Sequence, residues 1–384
     1  MSTGALATLL AQQPYSFAGL NSIGTVLFLF NLLLFLLFCG CITYRFTRNR
    51  KALSRSLRHP HESFYFGTFW VSIALLLYCI DQYGVPAAGP WLTKVLEIAF
   101  WTYAGCVFIV AVFQYHVIFD EEKLSVSEAM PSWILPMYPF LILGPLAAVL
   151  VKNQPLTSAV PIMIGGLCFQ GLGWCFAFIM YTLYVTRLMG SGIPEPSTKP
   201  GMYVAVGPAG KCSQTYYTNH ILQHIAAYTA NTLVALGMEA PKVLPADFLG
   251  LPSHSAGNIW KAIGVPAGIF LWLLAFWFFA LSTVSVLATC RKMQFSMNWW
   301  AFIFPNAGLT IALIKIAEAL NSDSIKSICT AMTILLVIVW IGVVSMNGRA
   351  VWKGDVLWPG KDEDAGEEEL ENDEEEGDGH IRLP

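Results

Sequence analysis

The stretch from Ser296 to Leu320, SMNWWAFIFPNAGLTIALIKIAEAL, constrains the chain more than any other. It is long and apolar enough to cross a bilayer, where about 20 apolar residues at ~1.5 Å each cover the ~30 Å hydrocarbon core. A simple anchor has no use for three of its features. Pro305 lies inside it and removes a backbone donor. Lys315 and Glu318 lie deep in it, where a charge costs ~2.5–3.5 kcal/mol even on the lenient insertion scale. Phe302 and Phe304 stand just before the proline. At about 100° per residue, Phe304 and Lys315 fall nearly on one face. A broken helix with an aromatic and a cation on one stripe points to a lined pathway through the membrane. The plainer reading is a Lys315–Glu318 pair buried against a neighbouring helix.

Composition fixes the class. Only 12% of the 384 residues are charged, 55% are hydrophobic, and the mean hydropathy is +0.57. Soluble domains carry about 25% charged residues. The expectation is an all-α polytopic membrane protein in contact with the lipid bilayer, not a nucleic-acid binder. Residues 1–361 hold 21 Lys and Arg against 13 Asp and Glu, a net charge of +8 that suits anions. The nine cysteines form no CxxC and read as small buried hydrophobes. No HExxH, GxSxG or paired-aspartate motif occurs, so the chain does not read as an enzyme. His59 and His61 flank Pro60 in a polar loop. Without further ligands at fixed spacing, they are better read as solvated than as a metal site. No cofactor is implied.

Apolar runs follow one another along the chain: Asn21–Phe46, Phe64–Gln82, Trp91–Phe119, Trp133–Val151, Pro155–Arg187, from Tyr203 onward, Ala256–Cys290, Trp299–Leu320 and Ile325–Met346. The apolar start MSTGALATLLAQQ has no basic n-region and is too short to cross, so it reads as the second half of a truncated first helix. That makes about ten spans. The loops that parity puts on one side carry Arg45, Arg48, Arg50, Lys51, Arg55 and Arg58, then Arg187 and Lys199, Arg291 and Lys292, and Arg349 and Lys353. The positive-inside rule therefore places both termini in the cytoplasm. Residues 1–353 form the transmembrane domain. Residues 354–384 form an acidic tail with almost no apolar side chains, expected to be disordered.

Helix breakers favour the odd-numbered spans: Gly4, Gly67, the prolines 136, 139 and 145, Gly207 with Pro208, and Pro305 with Gly308. Broken backbone is tolerated in a membrane only where protein or a water-filled cavity satisfies it. Five such helices, each paired with a return helix, predict five hairpins about an axis, with the odd helices inside. Helix N-termini in that ring would offer partial positive charge to an anion.

The pieces MSTGALATLL, RHPHESFYFG, KPGMYVAVGPAG and MNWWAFIFPNAGLTIA, in this order, resemble the tellurite-resistance/dicarboxylate transporter family. That family includes fungal malic acid permeases, fungal sulfite exporters and the slow-type anion channels of plant guard cells. The resemblance covers about Met1 to Lys353 and is strongest to the malate permeases. It implies ten helices as five hairpins, a central pore in each protomer of a homotrimer, and a plasma-membrane location. It also implies a phenylalanine gate on the ninth helix, here Phe304, with Phe302 second. A C4-dicarboxylate substrate would follow, with sulfite or another small inorganic anion as the rival. Such an anion needs a wet path with donors that bind it weakly. Candidate donors are Lys315, the Asn306 amide, the Ser2 and Thr3 hydroxyls, and backbone N–H groups after Gly4, Pro208 and Pro305. His116 or Glu97 would be the proton carriers if transport is coupled. The family runs from GPAG almost directly into an apolar helix. Residues 211–227, KCSQTYYTNHILQHIAA, are polar and are read as a retained in-frame intron, against the rival of a genuine insertion.

Overall fold

The computed structural model describes residues 1–49, 60–121, 131–191, 221–245, 247–251, 255–288 and 297–354, with isolated positions 53, 56, 293 and 295. Pro208, most of the 211–227 segment and the acidic tail lie outside the described residues, apart from Ile221–Ala227.

Ten principal helices form among the described residues: α1 (Ser2–Ala11), α2 (Leu20–Arg48), α3 (Pro60–Cys79), α4 (Pro90–Glu121), α5 (Tyr138–Leu150), α6 (Leu156–Ser191), α7 (Ile221–Val243), α8 (Ser255–Leu287), α9 (Phe304–Leu320) and α10 (Asp323–Lys353). Seven helical stretches are long and apolar enough to cross a membrane. The chain is thus an all-α, multi-pass membrane protein.

The helices pair as α1/α2, α3/α4, α5/α6, α7/α8 and α9/α10. The odd members also touch in a closed cycle, α1–α3–α5–α7–α9–α1. Burial separates the two layers. Every residue of α5 is buried, as are Thr3–Leu10 of α1 and Phe304–Ala317 of α9. In the span ending at Leu320, 89% of the most apolar window is buried, against 6% for α2 and 22% for α10. Helices all apolar enough to cross a membrane therefore have opposite surroundings: the odd set faces protein and the even set faces lipid.

The outer helices read as one inward stripe. In α4, Leu96, Phe100, Tyr103, Val107 and Ala111 are buried, while Ile98, Trp101, Phe108, Ile109, Val112 and Phe113 are exposed. In α8 the buried stripe is Gly257, Gly264, Gly268, Leu271, Ala275 and Phe278. A Cβ on Gly264 would lie 2.6 Å from the Leu233 carbonyl oxygen of α7. Lipid tails are as apolar as leucine, so hairpins in a bilayer gain from close backbone approach more than from hydrophobic burial.

Two inner helices share an unusual start. A 3-10 segment, Pro131–Met137, precedes α5, and another, Met297–Phe302, precedes α9. Each helix then opens on an aromatic residue followed by proline, Tyr138-Pro139 and Phe304-Pro305. A proline in the first helical turn removes an N–H that has no intrahelical partner anyway. Pro305 therefore starts the helix instead of kinking it, and the break in the span lies just before it, at Ile303. The 3-10 segments add length: 13 residues of α5 rise ~20 Å and its seven-residue lead-in ~14 Å.

Beyond α3 the chain continues through a π-helical turn, Ile80–Gly84, and a helical turn, Val85–Ala88, before Gly89 reverses it at φ 83°. Residues 221–227 of the suspected insertion are the first turns of α7, and Ala226 and Ala227 pack in the interior with Ala275 and Leu309.

Candidate anion pathway

Aromatic side chains are buried at both broken starts, Tyr138 on α5 and Phe304 on α9. Phe304, the first residue of α9, is 1% exposed. Its ring centroid lies 5.8 Å from that of Tyr228 on α7, with the planes tilted by 37°. Gly308, one turn further, faces the same tyrosine: a Cβ there would lie 3.1 Å from Tyr228 Cε2 and Cζ. Tyr138, on α5, interacts electrostatically with Tyr228 and is buried as well. Neighbouring staves thus supply Tyr138, Tyr228 and Phe304.

Phe302 stands elsewhere. It ends the 3-10 segment, packs edge-on against Trp299 at 5.7 Å, and, like Phe279 and Val286 of α8, packs against Ala301. Its carbonyl oxygen accepts a hydrogen bond from Asn306 Nδ2 at 2.8 Å, which ties the segment to the first turn of α9.

The other sequence-identified donors are engaged within the fold. Ser2 Oγ donates to the Trp300 carbonyl at 3.1 Å, joining α1 to the start of the ninth span. Thr3 Oγ1 accepts from Trp340 Nε1 of α10 at 3.3 Å. Gly4 is buried against Asn31 of α2, whose Nδ2 would lie 3.0 Å from a Cβ there. Here glycine serves the approach of α1 to its return helix. Lys315 is 6% exposed, and its Nζ donates to both Glu318 carboxylate oxygens, at 3.0 and 2.9 Å. A lone ammonium at this depth would be costly, and the i, i+3 carboxylate offsets much of that cost. Glu97 pairs with Lys94 at 2.9 Å on α4.

Lys315 on α9 interacts electrostatically with Lys152, just beyond α5, and with Glu239 on α7. Tyr78 on α3 interacts with Tyr228 on α7 and with Glu318 on α9. Tyr78, Tyr138, Tyr228 and Lys152 were not singled out from sequence. The repeated aromatic-proline pair at Tyr138-Pro139 and Phe304-Pro305 was the one available signal.

Comparison with known proteins agrees with this architecture. Residues 1–347 match the SLAC1 family, described as voltage-dependent anion channel. The malic acid transport protein of Schizosaccharomyces pombe is 30% identical over 368 residues, covering 95% of this chain and 80% of that protein. The sulfite efflux pump SSU1 of Trichophyton rubrum is 25% identical over 352 residues, covering 90% of this chain and 87% of that one. The same pump of Arthroderma otae is 26% identical over 354 residues. A five-hairpin ring of apolar helices, matched along nearly its whole length, places this chain in the SLAC1 family of membrane anion channels and transporters.

Proposed function

We propose that this chain moves C4-dicarboxylate anions, malate among them, across the plasma membrane along the axis of its inner ring, with Phe304 as the gate. The observation that carries this reading is the closed cycle of odd helices with Phe304 buried at the broken start of α9. A dianion cannot partition into hydrocarbon, and irregular backbone at membrane depth is tolerated where it lines a protein-enclosed path. Phe304 and Tyr228 close that path at rest, and a rotation of either ring opens it. Phe302 is half-buried against Trp299 while Phe304 is fully buried, which favours Phe304 of the two. Lys315, Asn306, Ser2 and Thr3, with backbone N–H groups near Gly4, Pro208 and Pro305, are the proposed donors along the way. The protomer is proposed to form a homotrimer with both termini cytoplasmic.

The dicarboxylate is favoured because a relative named for malic acid transport is similar over more of the chain, and at higher identity, than those named for sulfite efflux. Sulfite export is the second reading, supported by those pumps. Purified chain in liposomes is expected to take up labelled malate, and excess unlabelled sulfite is expected to compete weakly. Malate uptake at the level of empty liposomes, with labelled sulfite taken up instead, would select the second reading.

A further inference from the structure

A groove of about 820 Å³ runs along the seam where the first hairpin meets the last. One wall is α2, with Ile23, Val26 and Leu27, and the other is α10, with Ile334, Ile338 and Ile341. Its floor is Leu6 and Leu10 of α1, both buried. Val26, Ile338 and Ile341 are each more than half exposed, so the groove opens on the lipid-facing side. It passes through the outer layer and reaches a helix of the inner ring. Two hydrogen bonds mark its ends. At one end Gln13 Nε2, just beyond α1, donates to Thr333 Oγ1 of α10 at 2.9 Å. Toward the other, Trp340 Nε1 of α10 donates to Thr3 Oγ1 of α1 at 3.3 Å. The polar lining gathers at the first end: Tyr15, Ser16 and Ser22, with Thr330 and Thr333 on the facing wall. From there inward the lining is aliphatic apart from Trp340, whose N–H is already bonded to Thr3.

Length and polarity together select the occupant. From Thr330 to Ile341, α10 rises ~16 Å along the groove at ~1.5 Å per residue. That is about half of the ~30 Å hydrocarbon core, the depth of one leaflet. Water finds no partner on an aliphatic lining, and apolar cavities stay dry. Acyl chains already cover both lips, so one of them enters without crossing a polar barrier. The polar end then meets the linkage of that chain to its headgroup. Tyr15, Ser16 and Ser22 are exposed there and offer hydroxyl donors to ester and phosphate oxygens. Lys326 lies one turn nearer the start of α10 than Thr330, paired with Asp323 at 2.9 Å, and adds an ammonium donor near the same end. A sterol presents a single hydroxyl and leaves most of these donors unmet. A helix of a second copy would cross both leaflets, whereas the groove covers one.

We propose that this groove binds one acyl chain of a glycerophospholipid, with the ester and phosphate region held at the Tyr15–Ser22 end. The bound chain packs on Leu6 and Leu10 and braces α1, an inner stave, against α10. The site does not depend on which anion the protein carries.

The full chain is reconstituted in vesicles of dioleoylphosphatidylcholine and cholesterol, re-extracted in mild detergent and weighed by native mass spectrometry. Ile338→Trp and Val26→Trp fill the groove from its two walls. Leu335→Trp adds the same bulk to an exposed residue of α10 outside the groove. Wild type and Leu335→Trp are expected to retain phosphatidylcholine, and both groove variants to lose most of it. Added phosphatidylcholine is expected to raise the thermal unfolding midpoint of delipidated wild type and Leu335→Trp, because a ligand of the folded state stabilises it, and to leave the groove variants unmoved. Equal retention in every protein would reduce the groove to ordinary contact with surrounding lipid and overturn the site. Cholesterol retained in place of phosphatidylcholine would overturn it as well. So would groove variants that fall from oligomer to monomer while keeping their lipid, since the face would then be a contact between copies.

Discussion

Gly308 shows how one missing side chain sets the geometry around Phe304. It lets α9 approach α7 until Tyr228 lies against its backbone, and Tyr228 in turn lies against Phe304. Gly308→Val is expected to push the Tyr228 ring aside and destabilise the fold by about 1–3 kcal/mol, the usual cost of overpacking. A lowered midpoint in thermal unfolding in detergent would register it; an unchanged midpoint would mean that the tyrosine has room to move. For Lys315, malate flux is expected to fall at least severalfold in Lys315→Ala and to be largely kept in Lys315→Arg. Equal flux in both would remove this lysine from the pathway. At this scale the sequence was informative along one helix and silent between helices. Phe304, Lys315 and Glu318 were legible because their cost or spacing shows in one span. Phe302 was read as the second gate candidate beside Phe304. It lies in the 3-10 lead-in, where about 120° per residue changes the register, and it is half-buried against Trp299. Tyr78, Tyr138 and Tyr228 lie on three other spans, and only the ring brings them together.

The inner helices differ from the outer ones in how they begin. Prolines that look like kinks in the sequence open α5 and α9 after 3-10 lead-ins, so the span is a short helix with a tight approach. Pro305→Ala is accordingly expected to shift the unfolding midpoint by no more than about 2 °C, since a first-turn proline holds no essential hydrogen bond. A large drop would mean that the proline carries strain the helix needs. The hairpin count and the inner and outer sets followed from the distribution of glycine and proline. The neighbour order within the ring did not, because it depends on which buried faces meet. Residues 211–227 remain proposed as a retained in-frame intron. Joining Gly210 to Tyr228 by deleting them is expected to raise malate flux, and equal or lower flux would show that Ile221–Ala227, the first turns of α7, belong to the working helix.

The whole molecule is a protein-lined ring inside a lipid-facing one. Exposed Leu33, Leu36 and Leu37 on α2, Phe270 and Leu273 on α8, and Ile334, Leu335 and Ile338 on α10 give the outer layer the apolar surface that acyl chains solvate. This layering was legible from composition and span count, since ten apolar segments in one chain cannot all reach lipid on every side. Native mass spectrometry of detergent-solubilised chain is expected to show a trimer, a monomer alone being the contrary result. The most direct test of a path through the inner ring is the anion current of purified protein in planar bilayers, wild type against Phe304→Ala. The proposed gate predicts small wild-type malate currents that rise at least severalfold in the variant. Currents that are the same in both, from protein that elutes alike, would contradict a gate at Phe304 and a path along this axis.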